Sequence, residues 1–275
     1  MAMVINTNMA AMNANRILDR TSAEQSTAME RLTSGQRINS AADDAAGLAV
    51  ATGMSSQIMG TDQSIRNAND GMALIQTVDG ATDEITSMMQ RMRELAVQSM
   101  NGTYNDQNRT QMDEEFTQLQ NEIDRVAKTT KFNEISLMNG SNDAVSLHVG
   151  WETGTDNKIT VSLEGFSAGD LQTSTATNIS TAGNASQAVS NINKDISNIN
   201  TFRAKWGALQ NRLESTVSNL ANVNENMSGA RSQIQDADFA RESANLARTQ
   251  VLQQAGMSML SQANQQSQNV LSLLR

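Results

Sequence analysis

The chain has 275 residues, 38% of them hydrophobic but only 3% aromatic, with 17 Met, no Pro, no Cys and a formal net charge of −9. The missing cysteines exclude disulfides and thiolate chemistry, and the single histidine, His148, nearly excludes a His-based metal site or triad and reads best as a surface or strand-face residue. The acidic balance argues against a general nucleic-acid binder, no apolar run reaches the length of a membrane span, and a core this poor in aromatics suits long helices packed side by side.

Residues 1–33 read as a weakly amphipathic helix. Ile5, Met9, Met12, Leu18, Met29 and Leu32 are its larger apolar positions, separated by Asn, Ser, Thr, Gln and Ala. MAMVINTNMAAMNANR has no early Lys or Arg and no apolar block, so it does not read as a secretory signal. The next stretch, SGQRINSAADDAAGLAV (34–50), breaks the pattern. Gly35 can take a left-handed conformation that stops a helix, and Ser40 followed by Asp43 is a near capping box. Gly35, Ser40 and Asp43 are therefore expected to form a connector, with helix restarting near residue 40. The alanines and Gly47 would then allow close helix–helix approach.

Over 40–100 the apolar spacing is helical. Ile65, Ala68, Met72, Ile75, Val78, Thr82, Ile85, Met89, Met92 and Ala96 recur at intervals of three or four, about 3.4 on average, close to a coiled-coil seam. Asn101-Gly102 is a stop signal. A shorter helix carries Met112, Phe116, Leu119, Ile123 and Val126 and fades after Lys128. Residues 141–171 change period: Val145, Leu147 and Val149, then Ile159, Val161 and Leu163, flank the loop GWETGTDN and predict a β-hairpin. Residues 172–187 are polar and low in complexity, which predicts a loop or mobile surface segment. From about 186 a long stripe returns: Val189, Ile192, Ile196, Ile199, Phe202, Trp206, Leu209, Leu213, Val217, Leu220, Val223 and Met227. In the last segment, 238–275, Leu252, Gly256, Met259, Ala263, Gln266, Val270 and Leu273 alternate steps of 4 and 3.

The pattern is nested, with weak helices at both ends, strong stripes inside them and β structure in the middle. It predicts a mainly α fold, an elongated rod of long antiparallel coiled-coil-like helices with a small β-hairpin region. Residues 1–35 and 238–275 would be terminal helices, 36–140 with 186–237 a helical bundle, and 141–185 a hairpin with a variable surface loop. The terminal seams bury little apolar area, at about 25 cal/mol per Å², against a backbone entropy cost of about 1–2 kcal/mol per residue. Such ends are expected to stay disordered until a partner, most simply further copies of the chain, completes their core.

No phosphate-binding loop, G-x-S-x-G elbow or H-E-x-x-H pair occurs. Acidic pairs such as Asp43-Asp44 and Glu114-Glu115 point about 100° apart on a helix and read as solvated or capping charges. The chain is therefore expected to be no enzyme and to take no cofactor or metal. The absence of proline leaves no slow X-Pro isomerisation and is accounted for by long helices, which exclude proline; the alternative reading is a chain that must fold promptly after delivery.

Five segments carry a resemblance: LTSGQRINSAADDAAGLAV (32–50), QRMRELAVQSMNGTYN (90–105), QLQNEIDRVAKTTKFN (118–133), RSQIQDADFARESANLARTQVLQQAGMSML (231–260) and QNVLSLLR (268–275). Together they resemble bacterial flagellin closely, over about 1–140 and 186–275, in a short form lacking the large outer domains. Gln266 and Ser267 stand where many flagellins carry a hydrophobic-proline pair. The resemblance implies a structural subunit that polymerises into the helical filament used for swimming. Its terminal helices would form the inner core and the rest the outer layer. It further implies secretion, unfolded, through the flagellum-specific type III apparatus.

The partners implied are other copies of the chain, an export chaperone on the C-terminal segment, the filament cap and hook-junction proteins, and the animal Toll-like receptor that senses flagellin; no nucleic acid or membrane is implied. Arg91 and Leu95, with Glu115 on the neighbouring helix, match positions of receptor contact and are equally candidates for subunit contact. Leu252, Met259, Ala263, Val270 and Leu273 are the candidate polymerisation seam. Ser and Thr residues between 141 and 182 are either O-glycosylation sites or a plain polar loop. The rival readings are a hook–filament junction protein and a cytoplasmic signalling coiled coil; the β-hairpin argues against the second. Deleting 260–275 should abolish polymerisation, read by sedimentation, while circular dichroism still reports folded helices over 65–96 and 189–227; loss of all helical signal would contradict the two-layer design.

Overall fold

The computed structural model describes residues 7–142, 144–167, 170–173 and 177–273, with side chains described as far as 265. The helices are α1 (Met9–Ser34), α2 (Ala45–Ser99), α3 (Asp106–Thr129), α4 (Ala182–Gln235) and α5 (Phe239–Leu273), and the strands are β1 (Lys131–Phe132), β2 (Ile135–Ser136), β3 (Ala144–His148) and β4 (Lys158–Ser162). The chain divides into a central unit, 57–225, and a terminal unit made of 1–56 and 226–275.

In the central unit the core forms where the sequence stripes meet. From α2, Ala68, Ile75, Val78, Thr82, Ile85, Met89, Met92 and Ala96 are all buried, as are Met112, Phe116 and Ile123 of α3 and Ile192, Ile199, Trp206 and Leu213 of α4. The period near 3.5 is the physical reason, since it keeps one row of side chains on one face over the length of each helix. On α4 the burial thins out after Leu213, and Val223 is exposed. The α3 helix starts at Asn105, whose side chain accepts from the Asn108 N–H, with Asp106 favourably placed in the first turn.

The expected hairpin is present. Strands β3 and β4 pair antiparallel from Ala144 opposite Ser162 to His148 opposite Lys158. It lies against α2 at Gly71, where a Cβ would stand 2.1 Å from Leu147 Cδ1, so any larger residue would force Leu147 to move. Trp206 ties α4 to this hairpin: its indole N–H donates to the Ser162 carbonyl at 3.0 Å, and its ring meets Phe166 edge-on with centroids 6.3 Å apart. His148 ends β3 half-buried, and its carbonyl accepts from the Asn67 amide at 2.9 Å.

Three elements differ from the sequence expectation. A second, two-residue hairpin, β1–β2, sits in a stretch read as helical bundle; its turn residues Asn133 and Glu134 both have positive φ, 47° and 66°. Those angles are what a tight hairpin needs, and Asn-Glu lacks the glycine that announces one. Helix α4 starts at Ala182 rather than 186.

The described part of the polar 172–187 segment is pinned rather than loose. Ile179 is fully buried; its N–H donates to Asp113 at 2.7 Å, and its carbonyl accepts from the Ser99 hydroxyl at 2.5 Å. Buried Asp195 accepts from the N–H groups of Gln172 and Thr173 and from the Thr173 hydroxyl. The Gln120 amide donates to the carbonyls of Thr173 and Thr177.

Buried polar groups need partners, and those of this central unit sit within the stripes themselves. Asp195 falls between Ile192 and Ile199, and Gln120 between Phe116 and Ile123. Arg109, also buried, donates to the carbonyls of Ser99, Asn101 and Tyr104 and so satisfies acceptors left free where α2 ends. Phe116→Ala empties a fully buried aromatic site and should lower central-unit stability by about 3–5 kcal/mol, read as an earlier thermal transition by calorimetry; an unchanged transition would mean that Phe116 is not part of a packed core.

Candidate functional site

The terminal unit is organised by two antiparallel helices. Arg31 pairs with Glu242 at 3.3 Å, Leu18 lies against Gly256, and the Asn8 amide donates to the Ala263 carbonyl at 3.1 Å, so residue numbers rise on α1 as they fall on α5. Along α1, Ala11, Ala14, Leu18, Thr21, Gln25, Ala28 and Leu32 are buried or half-buried, at alternating steps of 3 and 4. On α5 the matching row is Glu242, Leu246, Thr249, Gln253, Gly256, Leu260 and Ala263, at steps of 4 and 3. Small residues let the two backbones approach. A Cβ on Gly256 would already stand 3.3 Å from Leu18 Cγ.

Most large apolar side chains of these helices lie elsewhere. Met9, Met12, Ile17 and Met29 of α1 are exposed, and so are Phe239, Val251, Leu252, Met257 and Met259 of α5, with Met9, Phe239 and Val251 each at least 65% exposed. Of the candidate seam, Leu252 and Met259 stand outside the α1–α5 contact, while Ala263 faces it. Two rows of period 3.5 cross on α5 and share Gly256 and Ala263. The row through Thr249, Gln253 and Leu260 packs on α1, and the row through Leu252 and Met259 does not. Val270 and Leu273 lie outside the residues whose side chains are described.

The connector is held by short backbone bonds. Gly35 has φ 73°, and its N–H closes α1 on the Arg31 carbonyl. The Ala237 N–H donates to the Gly35 carbonyl and the Arg37 N–H to the Gln235 carbonyl, at 2.9 and 2.7 Å. Helix restarts at Ala45 rather than near 40, because the capping roles fall differently from the expected box. Asp44 is the cap: its side chain accepts from the Gly47 N–H at 2.9 Å, and its carbonyl from the Leu48 N–H. Asp43 instead closes a turn, its Oδ2 accepting from the N–H of Asn39 and from the N–H and hydroxyl of Ser40. Gly47 sits close to its neighbours: a Cβ would stand 2.4 Å from Asp44 Oδ2 and 2.7 Å from Ile38 Cδ1, so both side chains would have to shift.

In the central unit, Arg91 on α2 and Glu115 on α3 form an exposed ion pair at 2.9 Å, and Glu94 joins from the next turn at 3.1 Å. Glu115 first, then Glu94, raise the Arg91 pKa further above its already high ordinary value. Leu95 lies in the core at 2% exposure, between neighbours at Met92 and Ala96, and offers no side chain to solvent. The grooves of the central unit are open. One of them, about 760 Å³, runs along α4 and is lined by Asn, Ser, Thr, Ala, Ile and Lys side chains. Among the described residues no group of three or more His, Cys, Asp or Glu could hold a metal ion, and no helix is long and apolar enough to cross a membrane.

Paired terminal helices with a small-residue seam and an unpartnered apolar exterior, joined to a separately packed helical core, define a structural protein built to assemble. Family models for the bacterial flagellin N-terminal helical region and C-terminal helical region match residues 5–143 and 189–274. A flagellin of Halalkalibacterium halodurans is 45% identical over 99% of this chain and 100% of its own length. A flagellar filament 31.3 kDa core protein of Treponema maltophilum is 40% identical over 99% of this chain and 100% of its own. A solved flagellar hook-associated protein of Vibrio parahaemolyticus shares the fold alone, at 13% identity and TM-score 0.59, over 70% of this chain and all of that one.

The chain belongs to the bacterial flagellins, in a short form, and is a subunit of the extracellular flagellar filament. The hydrogen bonds from Ser40 and then Asn39 hold the Asp43 carboxyl below its ordinary value of 3.8. A depressed folded value means that the turn's contribution is complete above pH 3.8 and fades as pH falls through the lower folded value. Exchange protection of the Asn39 and Ser40 amides should therefore persist at neutral pH and be lost on acidification, and Asp43→Ala should remove it at every pH; equal protection in the variant would show that the carboxylate is not what holds the turn.

Proposed function

We propose that incorporation into the filament buries the outer faces of α1 and α5 against neighbouring copies, and that folding of this terminal pair is completed by incorporation. The observation that carries the reading is the inversion of its two faces. The α1–α5 seam holds Ala, Gly, Thr, Gln and Glu242 with only four large apolar side chains, Leu18, Leu32, Leu246 and Leu260, while nine large apolar side chains point to solvent. An exposed apolar surface of that extent marks an interaction site. One face of each copy would meet a different face of the next, giving an open helical polymer. A central unit with its own packed core would keep its form while the terminal unit changes partners.

The same exposed faces support export in an unfolded state, with a chaperone covering the C-terminal segment 238–275 until delivery. Filament cap and hook-junction proteins would meet the same faces at the two ends of the polymer. Arg91 and Glu115 are the accessible part of the receptor-matching motif and would form the contact for the animal Toll-like receptor; Leu95 would serve it by holding α2 in the core. The junction-protein alternative is disfavoured, because the 45% identity to a flagellin spans nearly the whole chain whereas the hook-associated likeness is one of fold.

The reading is tested by adding purified chain to filament fragments and following growth by electron microscopy. Helical filaments should elongate from the fragments, with amides of α1 and α5 becoming protected only in the polymer. Monodisperse chain that never elongates, with both helices already protected, would overturn it.

A further inference from the structure

We propose that the thioethers of Met9, Met12, Met257 and Met259 form an oxidation-sensitive site that controls whether the free chain can join a polymer. The proposal rests on the assembly reading above.

Among the methionines, four are buried in the central core and four stand open at one end of the terminal pair; Met29, Met59 and Met100 are exposed at other places. Met89, Met92, Met112 and Met138 are buried in the central core, where a flexible thioether fills space between helices. Met9, Met12, Met257 and Met259 are each more than half exposed. All four belong to one end of the α1–α5 pair: Asn8 is level with Ala263 and Leu18 with Gly256, so the antiparallel register brings both sets into the same short length of the helix pair. None contributes to the α1–α5 seam. Their exposed sulfurs are open to small oxidants in the free chain and would be covered by a neighbouring copy in the polymer.

A peroxide is the co-reactant. Its terminal oxygen transfers to the sulfur, the S–O bond forming as the O–O bond breaks. The thioether loses two electrons, the peroxide gains them, and hydrogen peroxide leaves as water. The product is a sulfoxide: a flexible apolar side chain has become a polar one with a strong acceptor. On a solvent-facing surface that change costs little. In an interface between copies it leaves an acceptor without a donor, whereas the α1–α5 contact and the central core are untouched. Sulfoxide reductases reverse the step, one for each epimer.

The test treats full-length monomer with hydrogen peroxide, maps sulfoxides by peptide mass spectrometry and measures elongation on untreated filament fragments. Oxidation at the four positions should slow elongation about tenfold or more, as one buried acceptor left unpaired would, while circular dichroism stays unchanged. Treatment with both reductases should restore it, and the same four positions should resist peroxide in intact filaments. A variant with Met9→Leu, Met12→Leu, Met257→Leu and Met259→Leu should elongate and keep elongating after peroxide. Normal elongation by chain oxidised at all four positions overturns the proposal, as does equal inhibition of the leucine variant. If the leucine variant does not elongate, the reductase arm decides, and recovery without loss of sulfoxide at these positions counts against the site. Untreated chain that never elongates overturns the assembly reading and this proposal together.

Discussion

The contact between α1 and α5 is short of apolar area, and the design of the terminal unit follows from that shortage. Thr21, Ala28, Glu242 and Thr249 are its best-buried positions. Side chains of this size and polarity remove little apolar surface from water, and the entropy of ordering two long helices opposes them. Leu18, Leu32, Leu246 and Leu260 turn toward the contact, but most of the larger apolar residues of the two helices face outward. A pair built this way is held in register by a few specific contacts, such as Arg31 with Glu242 and Leu18 on Gly256, and leaves much of its apolar surface in solvent.

The central unit has the opposite balance. Its stripes are rich in Ile, Leu, Met and aromatic residues, and they meet in one core that includes the β3–β4 hairpin. Polar residues enter that core only with partners. Asp195, Gln120, Arg109 and Ser99 each stand in stripe register, and each satisfies backbone groups of a segment with no regular structure. They act as internal clamps, so the described part of a serine- and threonine-rich stretch can lie against the core.

Arg91, Glu115 and Leu95 do different things within one motif. The Arg91–Glu115 ion pair is exposed and screened by salt, so it contributes little to holding α2 and α3 together. What it does is fix a cation and an anion at one place on a rigid two-helix surface. Leu95, one turn on, is buried and belongs to the packing that makes the surface rigid.

Helix periodicity determined a good deal from the sequence alone. The three inner stripes, the β3–β4 hairpin and the stop at Gly35 are local or periodic features, and their physics is contained in neighbouring residues. The motifs at both ends carried the family in the same way. Other features depended on contacts between distant residues. The β1–β2 turn at Asn133 and Glu134 uses backbone angles that its residues do not announce. The order of 177–180 comes from Asp113 and Ser99, remote in the chain. The shift of the cap from Ser40 to Asp44 depended on which side chain the folded connector aimed at the Gly47 N–H. On α5, spacing alone allowed two crossing rows. Only the tertiary structure decided that the row through Thr249, Gln253 and Leu260 packs on α1 and leaves Leu252 and Met259 outside, because close approach of two backbones is a property of the pair and not of either helix.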